Sequence, residues 1–256
     1  MEQDQFKRIE VYQVSPEDSD PLREFKSRFG IGQFRISVLT WVTLLFLILL
    51  YPAASGGLSE DPSAFLQDLN PGVRIILFAV TIVLQWSIFF LIWITTYREK
   101  TTLAGIGLKR LRSIDVAWAV AFLVASNLIL TGIAWFLAQI GLPMPGEISL
   151  LIPEDTAGRV LWVGVSFTAG FCEEAAFRGY LMTRIRLVGR LMNWVIPAAV
   201  SSFAFGFCHA YQGLPGVILI TCYGLLFALL YIRTGSLWPC VIAHSLQDLG
   251  ALFFPQ

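Results

Sequence analysis

After residue 35 the chain alternates between long apolar runs and short charged stretches. Seven runs stand out, approximately Ile36 to Ala54, Ile75 to Tyr97, Val116 to Ile140, Val160 to Met182, Trp194 to Tyr211, Pro215 to Ile232 and Ser236 to Phe254. A bilayer core of about 30 Å needs about 20 residues at 1.5 Å rise, and packed bundles accept shorter spans. Lipid offers no partner to backbone N–H and C=O groups, and these runs are too long and continuous for barrel strands, so each is predicted to be a helix. The fold class is an all-α polytopic transmembrane bundle of about seven to eight spans.

Composition agrees with the pattern. Apolar residues make up 56% of 256 residues, charged residues 14%, and the mean hydropathy is +0.68. A typical soluble domain carries about 25% charged residues, so this is not one. Eighteen basic and eighteen acidic residues cancel, which removes the electrostatic footprint of a nucleic-acid binder. The partners expected are the lipid bilayer and whatever lies in it. Cys172, Cys208, Cys222 and Cys240 sit in apolar runs without C-x-x-C spacing, so disulfides and thiolate-bound zinc are not expected.

Basic residues set the orientation. Arg23, Lys26, Arg28 and Arg35 precede the first run, Arg74 alone follows it, and Arg98, Lys100, Lys109, Arg110 and Arg112 follow the second. Arg159 is alone in the next loop, then Arg184, Arg186 and Arg190 follow run four, none follow run five, and Arg233 follows run six. This alternation predicts a multi-pass protein of the cell (plasma) membrane, or of an endomembrane if eukaryotic, with the N-terminus cytoplasmic and, for seven crossings, the C-terminus outside. Residues 1–35 read as a polar, flexible cytoplasmic tail ahead of a membrane domain at 36–256. About 35 polar residues before the first run do not fit a cleavable signal peptide, so that run is expected to persist. Thr183 to Asn193 suits either a short helix lying at the cytoplasmic interface or a solvated connector. No internal repeat is visible.

Setting loop and tail charges aside leaves Glu173, Glu174, Arg178 and Asp248 inside the runs, joined by both histidines, His209 and His244. All six fall in the last 84 residues. A charge near mid-bilayer costs roughly 3 kcal/mol on insertion scales, so it survives by pairing, by facing a wet cavity, or by working. Glu174 and Arg178 stand at i and i+4 and can pair; Glu173, rotated by about 100°, lacks that partner. Phe205 and His209, and His244 and Asp248, are likewise at i and i+4. Ala169, Gly170, Ala175, Ala176, Ala204 and Gly206 would let the backbones approach closely.

Each residue alone also has a plain structural role: an intramembrane ion pair for Glu174 and Arg178, packing imidazoles, a snorkelling Asp248. Together they suit water activation and peptide-bond hydrolysis. An unpaired buried carboxylate such as Glu173 can serve as general base, and imidazole can polarise the same water or bind a metal. No H-E-x-x-H occurs, so a metal would need ligands from three helices. A proton-coupled transporter or channel, a non-catalytic immunity or scaffold protein, and a nucleophile at Cys172 or Cys208 are the alternatives.

The ordered motifs Glu173-Glu174-Ala175-Ala176-Phe177-Arg178, Phe205 to His209 and His244 to Asp248 resemble E-E-x-x-x-R, F-x-x-x-H and H-x-x-x-N/D of the CPBP (Abi) intramembrane proteases. That group includes the type II CAAX prenyl endopeptidases, and the likeness covers about residues 160–254. The resemblance implies Glu173 as base with His209, Glu174 and Arg178 as a positioning pair, and His244 with Asp248 as oxyanion stabilisers. Asp where Asn is usual cannot donate unless protonated, so Asp248 would instead orient His244. Family members are described as metal-dependent and as glutamate-dependent. The cofactor is thus either a divalent metal such as zinc, with Glu173, His209 and His244 as candidate ligands, or none. The implied substrate is a membrane-embedded or lipidated peptide or protein, CAAX-type and prenylated in the best-known case. One conflict stands out: counted at 1.5 Å per residue from the ends of these runs, Glu173 and His244 lie about 10–12 Å from the cytoplasmic side but His209 about 22 Å. A deeper start of run five, with Pro197 in its first turn, would resolve it.

Overall fold

The computed structural model describes residues 19–56, 70–145 and 151–253. Among the described residues eight helices form an all-helical membrane bundle: α1 Asp20–Arg28, α2 Val38–Ser55, α3 Pro71–Arg98, α4 Ser113–Gln139, α5 Thr156–Val188, α6 Val195–Phe207, α7 Gly213–Thr234 and α8 Trp238–Gly250. The described residues contain no strand.

All seven expected runs are helical, but they are not equal. Five helices, α2 to α5 and α7, the last with the preceding turn, are long and apolar enough to cross a membrane. α6 and α8 have 13 residues each, about 20 Å, which falls short of a 30 Å core. Five of the seven runs are thus long enough to span by themselves, and α6 and α8 are short elements packed against α7, α5 and α4 within the bundle. α5 is the central element, with 50% of its apolar window buried against 11% for α4. It packs against α3 on one side and α8 on the other; α6 pairs with α7, and α4 covers α7 and α8. The outer faces of α3 and α4 present Ile76, Val83, Leu128 and Trp135 outward, as lipid-facing helices do. The chain is an integral, multi-pass membrane protein.

Two expectations about the flanking segments are corrected. Residues 183–188 are neither a surface helix nor a connector: they continue α5, with Arg184 fully buried and Arg186 5% exposed. Charges at helix ends look solvated in a sequence, but these two find partners inside. Arg184 Nε pairs with Glu99 Oε2 at 2.9 Å, and Arg186 Nη2 donates to Pro21 and Met192 carbonyls while its guanidinium stacks on Phe25 and Trp194. The second correction concerns the tail, of which residues 1–18 lie outside the described residues. From Asp20 the chain is helical and docked, with Leu22, Phe25, Phe29 and Ile31 at most 3% exposed.

Between Ala175 and Leu181 α5 widens into a π-helical turn. A π-turn adds one residue and rotates the rest of the helix by about 100° relative to a continuous α-helix. Glu173, Glu174 and Arg178 thereby serve one polar layer, and Tyr180 and Arg184 a second near the helix end. In the second layer Tyr180 donates its hydroxyl to Glu99 Oε1 at 2.9 Å and Arg184 donates to Thr101 Oγ1 at 2.6 Å.

Candidate active site

Glu173 and Glu174 are adjacent on α5 and point to different partners. Glu174, fully buried, accepts at Oε1 from Arg178 Nη1 at 3.0 Å and from His244 Nδ1 at 2.8 Å. The expected i, i+4 pair is therefore present, and His244 of α8 joins it. Arg178 is also fully buried, its guanidinium 4.1 Å from the centre of the Phe205 ring and 5.0 Å from that of Phe227. Glu173 is 13% exposed; Oε1 accepts from Gln85 Nε2 on α3 at 2.7 Å, whereas Oε2 is buried without a hydrogen-bond partner. The nearest basic nitrogen to it is His244 Nε2, at 3.9 Å. Asp248, one turn further along α8, brings Oδ2 to 3.7 Å from the same nitrogen and keeps 30% of its side chain exposed.

A carboxylate and a carbonyl only accept, which assigns a proton to Nδ1 of each ring. His244 carries a proton at Nδ1 for Glu174, and His209 carries one at Nδ1 for the Phe205 carbonyl, 2.9 Å away. Each ring therefore turns Nε2 to whatever else the site holds. The Phe205 ring lies 5.0 Å from His209 and 6.1 Å from His244, centre to centre, and so packs against both.

The depth conflict is resolved, though not by a deeper start. α6 begins at Val195, so His209 lies 14 residues, about 21 Å, past its start. Because α5 runs on to Val188, Glu173 is 15 residues, about 22 Å, from that same end of the bundle. α8 starts higher: a Cβ on Gly179 would meet Leu237, so the start of α8 is level with the π-turn. The error lay in ending run four at Met182.

Small residues bring these helices together. A Cβ on Gly170 would meet Ser245 N at 2.8 Å and Val241 O at 3.0 Å, and one on Gly206 would meet Val217 O at 2.9 Å, so α5 touches α8, and α6 touches α7, through backbone. Beside Glu173 is a crevice of about 10 Å³, bordered by Tyr51, Gln85 and Phe177, close to the size of one water. Buried polar atoms normally find partners, yet among the described residues ten side-chain atoms do not, and eight of them, including Glu173 Oε2, Glu174 Oε2, Arg178 Nε and Nη2 and Tyr223 OH, lie on α5 to α8, the other two being Arg74 Nε and Gln85 Oε1 on α3. Such a concentration marks a polar interior built for something other than packing. The 3.9 Å between Glu173 and His244 is a separation that one water can bridge.

A divalent metal, left open by the sequence, does not fit this arrangement. Among the described residues no three His, Cys, Asp or Glu side chains stand together as a ligand set. His209 and His244 pack on one ring, that of Phe205, while Glu173 contacts Gln85 and His244.

Residues 156–250 match the Rce1-like family, type II CAAX prenyl endopeptidase Rce1-like. The match spans 95 of the 256 residues and supports the likeness to the CPBP/CAAX proteases carried by the three motifs. All six residues picked from the sequence fall inside the matched segment, as do Tyr223 and Ser202, which carry no charge and gave no signal in the sequence. Gln85 and Tyr51 lie outside it. Gln85 could have been found, since it is among the few polar residues in the first three runs, but only the fold reveals that it faces a carboxylate. No curated protein and no solved structure matches the chain.

Proposed function

We propose that the protein is an intramembrane endopeptidase that hydrolyses a peptide bond next to a prenylated, CAAX-type C-terminus with glutamate-activated water. The observation that carries this reading is Glu173 Oε2, buried, unpartnered, and 3.9 Å from His244 Nε2 beside a crevice of one-water size. Water held there gives its proton to Glu173 and attacks the amide carbon; the proton then passes to the departing amine. His244, surrounded by Glu173, Glu174 and Asp248, is read as an imidazolium whose Nδ1–H is held by Glu174 and whose Nε2–H faces the developing oxyanion, while His209, its proton at Nδ1, offers the Nε2 lone pair to the attacking water. Arg178 balances Glu174 and presses on the Phe205 ring that both imidazoles share. No step passes through a metal.

In this reading residues 1–35 are cytoplasmic, residues 160–254 are the catalytic core within the membrane domain, and the prenyl chain of the substrate enters from lipid. The test is cleavage of a quenched fluorescent peptide ending in a farnesylated CAAX sequence, in liposomes holding the purified protein. Glu173→Gln should cut the rate by at least about 100-fold, the usual contribution of a general base, with the melting temperature kept. Equal turnover of the unprenylated peptide removes the substrate assignment, and full activity of Glu173→Gln removes the mechanism.

A further inference from the structure

A second polar feature lies at the bundle end that carries the loop after α3. Lys109, Arg110, Arg112, Thr234, Gly235 and Ser236 line a pocket of about 300 Å³, the lower end of the range for small-ligand sites. Arg28 of α1 adds a fourth cation: its Nη2 donates to the Arg233 carbonyl at 2.9 Å, and its Nε would stand 2.7 Å from a Cβ on Gly235, so the guanidinium lies over the glycine. Among the described residues Arg112 has an acid, Asp115 at 3.0 Å, while Lys109 and Arg110 have no ion pair. Lys109 is half-buried, its ammonium 5.0 Å from the Phe29 ring centre and donating to the Arg28 carbonyl at 2.7 Å. Burial, then the nearby Arg28 and Arg112, lowers the affinity of this amine for its proton below the ordinary value. Cations crowded in this way gain from a shared counter-anion.

The surroundings say where the anion comes from. Trp238 donates its indole N–H to the Lys109 carbonyl and Arg233 stacks on Trp118, so two tryptophans mark the depth at which the headgroup layer begins. Next to the pocket, Leu111 just before α4 and Ile114 and Trp118 in its first turns are 37–50% exposed, a surface suited to acyl chains. Leu237 N bonds the Gly107 carbonyl at 3.0 Å and α8 begins there, so the pocket is separated from Glu173 by packed backbone.

We infer that this pocket binds the phosphate of an anionic phospholipid headgroup, with Lys109, Arg110 and Arg28 as its cationic contacts. The ligand is a structural lipid rather than a substrate. The test uses the purified full chain in a mild detergent, titrated with phosphatidylglycerol, phosphatidylcholine or inorganic phosphate, with bound lipid counted by native mass spectrometry. Phosphatidylglycerol should bind and phosphatidylcholine should not. Arg110→Gln should weaken binding about fivefold, and Arg110→Gln with Lys109→Gln about 25-fold, about 1 kcal/mol per charge. Arg98→Gln, a cation outside the pocket, should leave it unchanged. Arg110 is exposed, so its single variant folds and keeps the proposal falsifiable if Lys109→Gln does not. Equal binding of phosphatidylcholine, undiminished binding in Arg110→Gln, or an equal loss in Arg98→Gln overturns it. Displacement of the lipid by millimolar inorganic phosphate overturns the lipid as source.

Discussion

Gln85 Nε2 donates to Glu173 Oε1 at 2.7 Å, and this one bond ties α3, outside the family-matched segment, to the carboxylate proposed as base. Holding one oxygen leaves the other directed at His244. The carboxamide also blocks rotation of the Glu173 side chain, since α3 and α5 are packed along their length.

Gln85→Leu keeps the volume and removes the donor. A hydrogen bond to a charged group contributes about 1.5–3 kcal/mol, so if Glu173 is the base, kcat should fall by about 10- to 100-fold. Gln85 touches no substrate in this reading, so KM should change little. Steady-state kinetics on the prenylated peptide separate the two, and an unchanged kcat would show that Glu173 does not depend on Gln85.

Arg178 and Glu174 are both fully buried, so removing one strands the other. Breaking such a pair by truncating one partner typically costs about 3–5 kcal/mol, whereas replacing both partners with groups of similar volume costs much less. Arg178→Met should therefore lower the melting temperature sharply in detergent, and Glu174→Gln with Arg178→Met should recover part of the loss. Activity should stay low in both, in Arg178→Met because Glu174 loses its counter-charge and in the double variant because His244 also loses the carboxylate that fixes Nδ1. Differential scanning fluorimetry and peptide cleavage on the same samples distinguish the effects.

The helical class and the polar cluster were legible for a simple reason: apolar runs and rare intramembrane charges are local signals. The pairing of Glu174 with Arg178 follows from spacing alone, and the structure adds only that His244 shares the oxygen. The features that stayed hidden depend on tertiary placement. Glu99 and Arg184 sit at helix ends, where a sequence gives no reason to distinguish them from solvated charges, yet both are fully buried. The end of run four was misplaced for the same cause, since three arginines within seven residues resemble a loop until Glu99, which receives Arg184, and the carbonyls that receive Arg186 are seen. The π-turn has no signature in Ala175 to Leu181 that differs from ordinary helix.

The Glu99–Arg184 pair should behave differently from the first layer. Arg184→Met leaves Glu99 buried with Tyr180 as its remaining side-chain donor, a loss of about 3–5 kcal/mol. Tyr180→Phe removes one hydrogen bond to the same carboxylate and should cost about 1–3 kcal/mol. Neither residue belongs to the Glu173 layer, so kcat per folded molecule should be retained in both variants. Thermal unfolding with active-site titration checks this, and a fall in kcat matching the fall in stability would mean that the π-turn transmits strain to Glu173.

Gly170→Ala tests whether backbone contact between α5 and α8 sets the site geometry. The added methyl would meet Ser245 N at 2.8 Å and Val241 O at 3.0 Å, both main-chain atoms that cannot swing aside. α8 must shift, and His244, the neighbour of Ser245, shifts with it, away from a Glu174 oxygen now 2.8 Å distant. Overpacking of this kind costs about 1–3 kcal/mol, and displacement of a catalytic group by about 1 Å can cost about 100-fold in rate. Gly132→Ala is the control: nothing lies within 4 Å of its added methyl, so helix propensity alone acts and stability should rise by up to about 1 kcal/mol with activity unchanged. If both variants cleave the peptide at the parent rate, close approach at Gly170 is not what positions His244.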